Sequence, residues 1–267
     1  MSAVDDWLAY LQRRNRSAST LASYRSVMGG YTAIVGDPLT ATVDDAETWW
    51  ESIEALVPES QARSLSVVRS FYTWAVRYDL LLVSPLRRLD APSLGQRLPR
   101  PVSRSGWQDI LAATDGELRR AVCLGAYAGL RVGEVAALDW ADVDTEGRWI
   151  IVRSGKGDKD RAVGLGPLLL DELLPNTGGN VVTAGGETYT ANTLQRKVNR
   201  HLRSLGTDAT FHKLRSRYAT VTLARTGNLL AVSRALGHSS TSVTARYAAT
   251  SDSDLHLLAT AAESDSL

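Results

Sequence analysis

Cysteine is almost missing from this 267-residue chain. Cys123 stands alone, so no intrachain disulfide can form, and a reducing cytoplasm is the natural setting. Long apolar runs are missing too. The longest uncharged apolar stretches, 121–130 and 162–170, fall well short of the roughly 20 residues that a bilayer span needs, so no membrane partner is expected. The N-terminus, Met1-Ser2-Ala3-Val4-Asp5-Asp6, has early acids and no basic region before an apolar run, unlike a secretory leader. His201, His212, His238, His256 and the lone cysteine show no zinc-ligand spacing. The GKG of Ser154–Arg161 lacks the GxxxxGK[ST] pattern of a P-loop. There is no GxSxG elbow and no glycine-rich dinucleotide fingerprint after a strand. No metal, nucleotide or other cofactor is therefore expected.

What remains is an ordinary globular composition. With 44% hydrophobic and 22% charged residues, coiled-coil, collagen-like and disordered readings are excluded, and one large or two modest domains can be built. Net charge is +1, from 30 basic and 29 acidic residues. Only four of the bases are lysine; 26 are arginine. Arginine forks suit phosphate, although a GC-rich genome produces the same bias. The charge is segregated. Residues 196–225 hold eight basic residues against Asp208, and 63–104 hold eight against Asp79 and Asp90. From Trp7 to Gly36 there are four bases and no acid. A neutral protein with basic faces can bind a polyanion, because binding depends on local phosphate neutralisation. Solvated helix faces would carry the same runs.

Periodicity predicts a helical first part. Val4, Trp7, Leu8 and Leu11 follow the i, i+3, i+4, i+7 rule. Further helices are expected after the capping residues Ser17–Thr20, over Asp44–Leu56, and from Ser60 to about Tyr78. The stretch Asp90–Pro101 carries Pro92, Gly95, Pro99 and Pro101 and forms the best linker. The expected division is 1–90, a linker over 91–102, and 103–267. In the second part, Trp149–Arg153 and Arg161–Leu165 read as two strands of a hairpin. Helices are expected around Glu117–Ala128, Val132–Leu138, Asn192–Leu205, His212–Arg225 and Leu229–Leu236, with a last one from Thr241.

The chemistry-bearing residues are few. Arg131 lies between glycines in Gly129-Leu-Arg-Val-Gly-Glu134, where it could equally be a helix-start arginine paired with Glu134. Lys156 lies between glycines at the hairpin tip, where exposed turn lysines are common, and Lys159 follows it. His212 and Arg215 share a helix face at i, i+3. His238 follows Gly237, and Tyr247 comes nine residues later. Each alone means little.

In order, these residues give R…K…HxxR…H…Y. The segments GLRVGE, GKGDKDRAVGL, HKLR and LGHSSTSVTARY resemble the tyrosine recombinase/phage integrase family, which includes the Xer, Cre and lambda integrase proteins. The resemblance covers nearly the whole chain, and Arg63–Arg77 resembles the end of that family's helical core-binding domain. It implies a mainly α fold with a small β-hairpin or sheet. Two domains, one core-binding and SAM-like, the other catalytic, would form a C-shaped DNA clamp without an added arm-binding domain. It implies site-specific cleavage and rejoining of DNA without metal or ATP, through a 3′-phosphotyrosine at Tyr247. Arg131 and Arg215 would hold the scissile phosphate, and Lys156 would protonate the leaving 5′-oxygen. His212 would exchange a proton near the tyrosine, and His238 would bind the phosphate or position the nucleophile. Glu134 would orient Arg131.

The implied partners are a double-stranded target site and, on two duplexes, a homotetramer, with a monomer or dimer when free. The implied place is the bacterial cytoplasm, at the nucleoid when acting. The tail 252–262 carries a short apolar face that would dock on a neighbouring protomer or on its own domain. A different reading treats Leu229–Tyr247 as a helix-turn-helix in a non-catalytic DNA-binding protein. It leaves Arg131, Lys156, His212 and Arg215 unexplained.

Overall fold

The computed structural model of the chain describes residues 2–94, 101–153, 160–174, 178–237 and 252–263. The chain divides into two compact units, Met1–Arg97 and Leu98–Leu267. Helix dominates both, with small antiparallel sheets in the second. Among the described residues, no helix is long and apolar enough to cross a membrane.

The first unit contains α1 (Ala3–Arg13), α2 (Ala18–Val35), α3 (Val43–Ser52) and α4 (Pro58–Arg77). Their starts are written in local chemistry. Ser2 with Asp5, and Thr42 with Asp45, form reciprocal capping boxes, and Ser17 accepts from the Thr20 amide. α3 stops short of the expected Leu56. Pro58 opens α4 and forces Val57 into extended backbone. Gln61 Nε2 then donates to the Glu54 and Leu56 carbonyls, 2.8 Å each, which fixes the connection in a non-helical path. The core is aromatic: Trp7, Tyr31, Trp49, Phe71 and Tyr72 are buried. Tyr72 donates its hydroxyl to the Pro38 carbonyl (2.9 Å) and accepts from Tyr31 (2.7 Å), so both phenols are satisfied inside.

The second unit is built on α6 (Gly116–Tyr127), whose residues 121–127 are all buried. Around it lie α5 (Arg104–Ala112), α7 (Val132–Ala137), α8 (Pro167–Leu173), α9 (Ala191–Ser204), α10 (Phe211–Thr226), α11 (Leu229–Leu236) and α12 (Asp252–Glu263). Cys123 is buried within α6, and burial pushes its thiol pKa far up. A three-stranded antiparallel sheet runs β1 (Val143–Asp144), β2 (Trp149–Val152), β3 (Arg161–Gly164), with Val152 opposite Arg161. The tip between β2 and β3 lies outside the described residues.

Two features were not anticipated, and one of the two dockings expected for the tail is observed. The apolar run 162–170 is cut at Pro167, strand before it and α8 after it, because proline at a first helical position ends one element and starts the next. The glycine-rich stretch contains a small hairpin, β4 (Thr183–Ala184) with β5 (Glu187–Thr188), turned at Gly185-Gly186. Finally, α12 packs on its own unit, against α10, α11, β3, α6 and α8, rather than standing free for a neighbour. Glu263 latches it. Its carboxylate accepts from the Leu168 and Leu169 amides at 2.8 Å each, orphan donors at the start of α8. Gly166 makes this possible, since a Cβ there would lie 2.4 Å from the Glu263 carboxyl. The expected start of a last helix at Thr241 lies outside the described residues.

Candidate active site

Arg131 is placed by a backbone that only glycine permits. α6 ends at Tyr127, and Gly129 turns the chain with φ +65°. A Cβ at Gly129 would lie 2.5 Å from the ring of buried Tyr218 on α10. The turned chain leads through buried Leu130 to Arg131, which stands immediately before α7. Glu134, one turn into α7, reaches back. Its Oε2 accepts from the Arg131 backbone N–H (2.7 Å) and its Oε1 from Arg131 Nη1 (2.8 Å). Arg131 Nη2 donates to the Gly237 carbonyl at 2.7 Å, and its side chain stays 39% exposed.

Arg215 arrives from α10, which starts at the Thr210 cap. Its side chain is only 8% exposed. Nη1 donates to the Gly129 carbonyl and Nη2 to the Leu236 carbonyl. Glu134 Oε2 lies 3.9 Å from Nη1. The structure thus brings Arg131 and Arg215 onto one carboxylate. Burial pulls the Arg215 pKa down to about 10, and the neighbouring Arg131 charge adds to that. The group remains cationic at neutral pH.

A third guanidinium completes the cluster. Arg161, at the start of β3, donates from Nη1 and Nη2 to the two Glu134 oxygens (2.9 and 2.7 Å) and from Nε to the Ala235 carbonyl (2.7 Å). Burial works to raise the Glu134 pKa, but the bonds and charges of Arg161 and Arg131 outweigh it and hold the carboxyl below its ordinary value. Three arginines against one glutamate leave a local excess of positive charge, which is what an anion site requires. The three consecutive carbonyls of Ala235, Leu236 and Gly237 each accept from a different one of these arginines. They are the orphan acceptors at the C-terminal end of α11, where cations are favoured.

Sequence reasoning missed Arg161. The available signal was period-two alternation: Arg161 shares a strand face with buried Val163 and Leu165. An arginine on an inward face needs an acidic or carbonyl partner inside. His212 stands one turn before Arg215 on α10 and is exposed. Lys156, Lys159, His238 and Tyr247 lie outside the described residues, as does the second half of the helix-turn-helix alternative. Arg217, close after Arg215, turns away into the core. It is 1% exposed, lies 5.3 Å over the Trp107 ring and donates to the Ala262 carbonyl. Among the described residues, no three His, Cys, Asp or Glu are grouped to hold a metal ion.

Comparison with known proteins meets this geometry. The phage integrase family model matches residues 105–254, and the phage integrase N-terminal SAM-like domain model matches residues 4–79. The tyrosine recombinase XerC of Xanthomonas campestris pv. campestris is 30% identical over 275 residues, covering 92% of this chain and 84% of its own length. XerD of Pseudomonas putida is 29% identical over 272 residues, covering 91% of both. Among solved structures, a lambda integrase dimer bound to a COC′ core site superposes with TM-score 0.73 at 19% identity, covering 93% of this chain and 97% of that one. A lambda integrase tetramer bound to a Holliday junction gives 0.73 at 20% identity, covering 89% and 76%. At such identities these two establish the fold alone. The helix-turn-helix alternative draws no support from the relatives. The chain therefore belongs to the phage integrase family and is a site-specific tyrosine recombinase.

Proposed function

We propose that this recombinase cuts and rejoins duplex DNA at a phosphate held by Arg131 and Arg215, with Tyr247 as the nucleophile. The observation that carries the reading is the convergence of both guanidinium groups on Glu134 from separate elements, α10 and the turn before α7. Tyr247 Oη attacks the phosphorus and becomes esterified to the 3′ side. The bond to the 5′-oxygen breaks, and Lys156 gives that oxygen its proton. His212 takes the phenol proton, and His238 bonds the phosphate or steadies the nucleophile. The phosphotyrosine conserves the energy of the broken ester, so the reverse attack by a 5′-hydroxyl rejoins the strand with no metal and no nucleotide.

The arginines act on the charge that builds as phosphorus becomes five-coordinate. Their own supports are backbone carbonyls and one carboxylate, so they are held before substrate arrives. Losing one such donor typically costs about 10²–10³ in rate. Residues 1–90 act as a helical core-binding domain, 91–102 as a linker, and 103–267 as the catalytic domain. The assembled state is a homotetramer on two duplexes, formed from free monomers or dimers in the bacterial cytoplasm. The lambda integrase tetramer on a Holliday junction supports this by analogy of fold.

The test uses a duplex selected from a randomised pool by binding to the full chain, then synthesised with nicks scanned across its centre. The wild-type chain traps a covalent protein–DNA adduct that survives boiling in detergent. Tyr247→Phe binds the same duplex and traps none. If both bind and neither forms the adduct, the reading fails.

A further inference from the structure

Arg161 is 10% exposed, and its Nε, Nη1 and Nη2 each donate to a protein acceptor. It is therefore turned inward. Its fork spans both oxygens of Glu134, the bidentate arrangement that arginine's planar geometry provides and a lysine ammonium cannot. Glu134 in turn grips Arg131 twice, at the side chain and at the backbone. The third Arg161 contact falls on the Ala235 carbonyl, next to the Leu236 carbonyl that holds Arg215 and two residues before the Gly237 carbonyl that holds Arg131. One side chain thus bonds Glu134, which holds Arg131, and the Ala235 carbonyl, which directly precedes the Leu236 carbonyl that holds Arg215.

We infer that Arg161 is a positioning residue for the recombination step, aiming the Arg131–Arg215 pair through Glu134 and the C-terminal end of α11. The inference rests on the proposed work of that pair at the scissile phosphate. A side chain that only strengthened the fold would change melting, leaving the rate per folded molecule untouched. A positioning residue changes the rate at saturating DNA while leaving affinity nearly alone, because phosphate orientation matters most as charge develops.

The nicked duplex described above gives the test, read at saturating DNA and well below the melting temperature. Arg161→Lys is the main variant, since it keeps the charge and avoids leaving Glu134 buried and unpaired. We expect adduct formation to slow about 100-fold, the loss associated with a misplacement near 1 Å, with DNA affinity within about threefold of wild type by the same criterion. In a Glu134→Gln background the Arg161→Lys penalty should shrink to about tenfold or less, because residues acting through one another are not additive. An Arg161→Lys rate within threefold of wild type, a loss carried wholly by affinity, or an undiminished penalty in the Glu134→Gln background each overturns the inference. A wild-type chain that forms no adduct overturns it together with the strand-cleavage reading. A normal wild-type adduct beside an unaffected Arg161→Lys overturns the inference alone.

Discussion

Two glycines four residues apart should respond in opposite ways to the same substitution. Gly129 has φ +65°, and a Cβ on it would lie 2.5, 2.9 and 2.9 Å from three carbons of the Tyr218 ring. Tyr218 is buried and cannot step aside. Gly129→Ala therefore incurs roughly 1–2 kcal/mol for the left-handed backbone and about 1–3 kcal/mol for the overpacked ring. The sum, about 2–5 kcal/mol, corresponds to a fall of roughly 4–20 °C in melting temperature for a unit of this size. Gly133 lies inside α7, with ordinary backbone, and a Cβ on it would meet only Ala191 Cβ at 3.6 Å. Gly133→Ala should be neutral or stabilising by up to about 1 kcal/mol, through helix propensity and a less flexible unfolded chain. Both variants are measured by far-UV circular dichroism melts of the full chain, with the adduct assay alongside. Gly129→Ala should also slow adduct formation at least tenfold, since the Gly129 carbonyl supports Arg215. A Gly129→Ala melt within about 2 °C of wild type, or a Gly133→Ala loss of equal size, would refute the steric argument.

Two further outcomes follow from the packing. The Glu134 carboxyl is held below its ordinary pKa of 4.5, so the stability its charge contributes is complete above about pH 4.5 and drains away as pH falls through the lower folded value. Glu134→Gln should cost about 3–5 kcal/mol at pH 7, by leaving buried guanidinium charge uncompensated, and should flatten that acid limb. Urea midpoints from pH 3 to 7 read both effects, and identical acid limbs would sink the assignment. Gly166→Ala places a methyl where the Glu263 carboxyl now sits. Amide exchange at Leu168 and Leu169 should then quicken about tenfold or more, the loss of roughly 1.4 kcal/mol of protection, while an unchanged rate would show that Glu263 does not latch α12.

The two arginines that the fold brings onto Glu134 were legible as members of an ordered motif. Arg131 beside a turn glycine, and His212 with Arg215 on one helix face, are local patterns that need no tertiary knowledge. Alternation could have marked Arg161 as inward-facing, but its partners were illegible. Its partners, Glu134 and Ala235, are 27 and 74 residues away, and nothing in β3 names them. In the fold, Ser17 marked the start of α2 as expected, and Ser or Thr also caps α1, α3, α5, α9 and α10. α8 escaped because its apolar run continues that of the preceding strand, with only Pro167 to divide them. The docking of α12 on its own unit depends on the space left at Gly166, a tertiary fact that an amphipathic pattern cannot hold. Tyr247, by contrast, was singled out purely by its distance from His238 and its place in the motif order.

The lone thiol has a practical consequence. Cys123 is fully buried in α6, and the thiolate needed for alkylation or oxidation is disfavoured there. Toward maleimide reagents or mild oxidants the folded chain behaves as though it had no cysteine. A single cysteine introduced on an exposed surface, one in each unit for example, would then be the sole reactive handle. Fluorophore pairs or cross-links could be attached without first rebuilding the helix at the centre of the second unit.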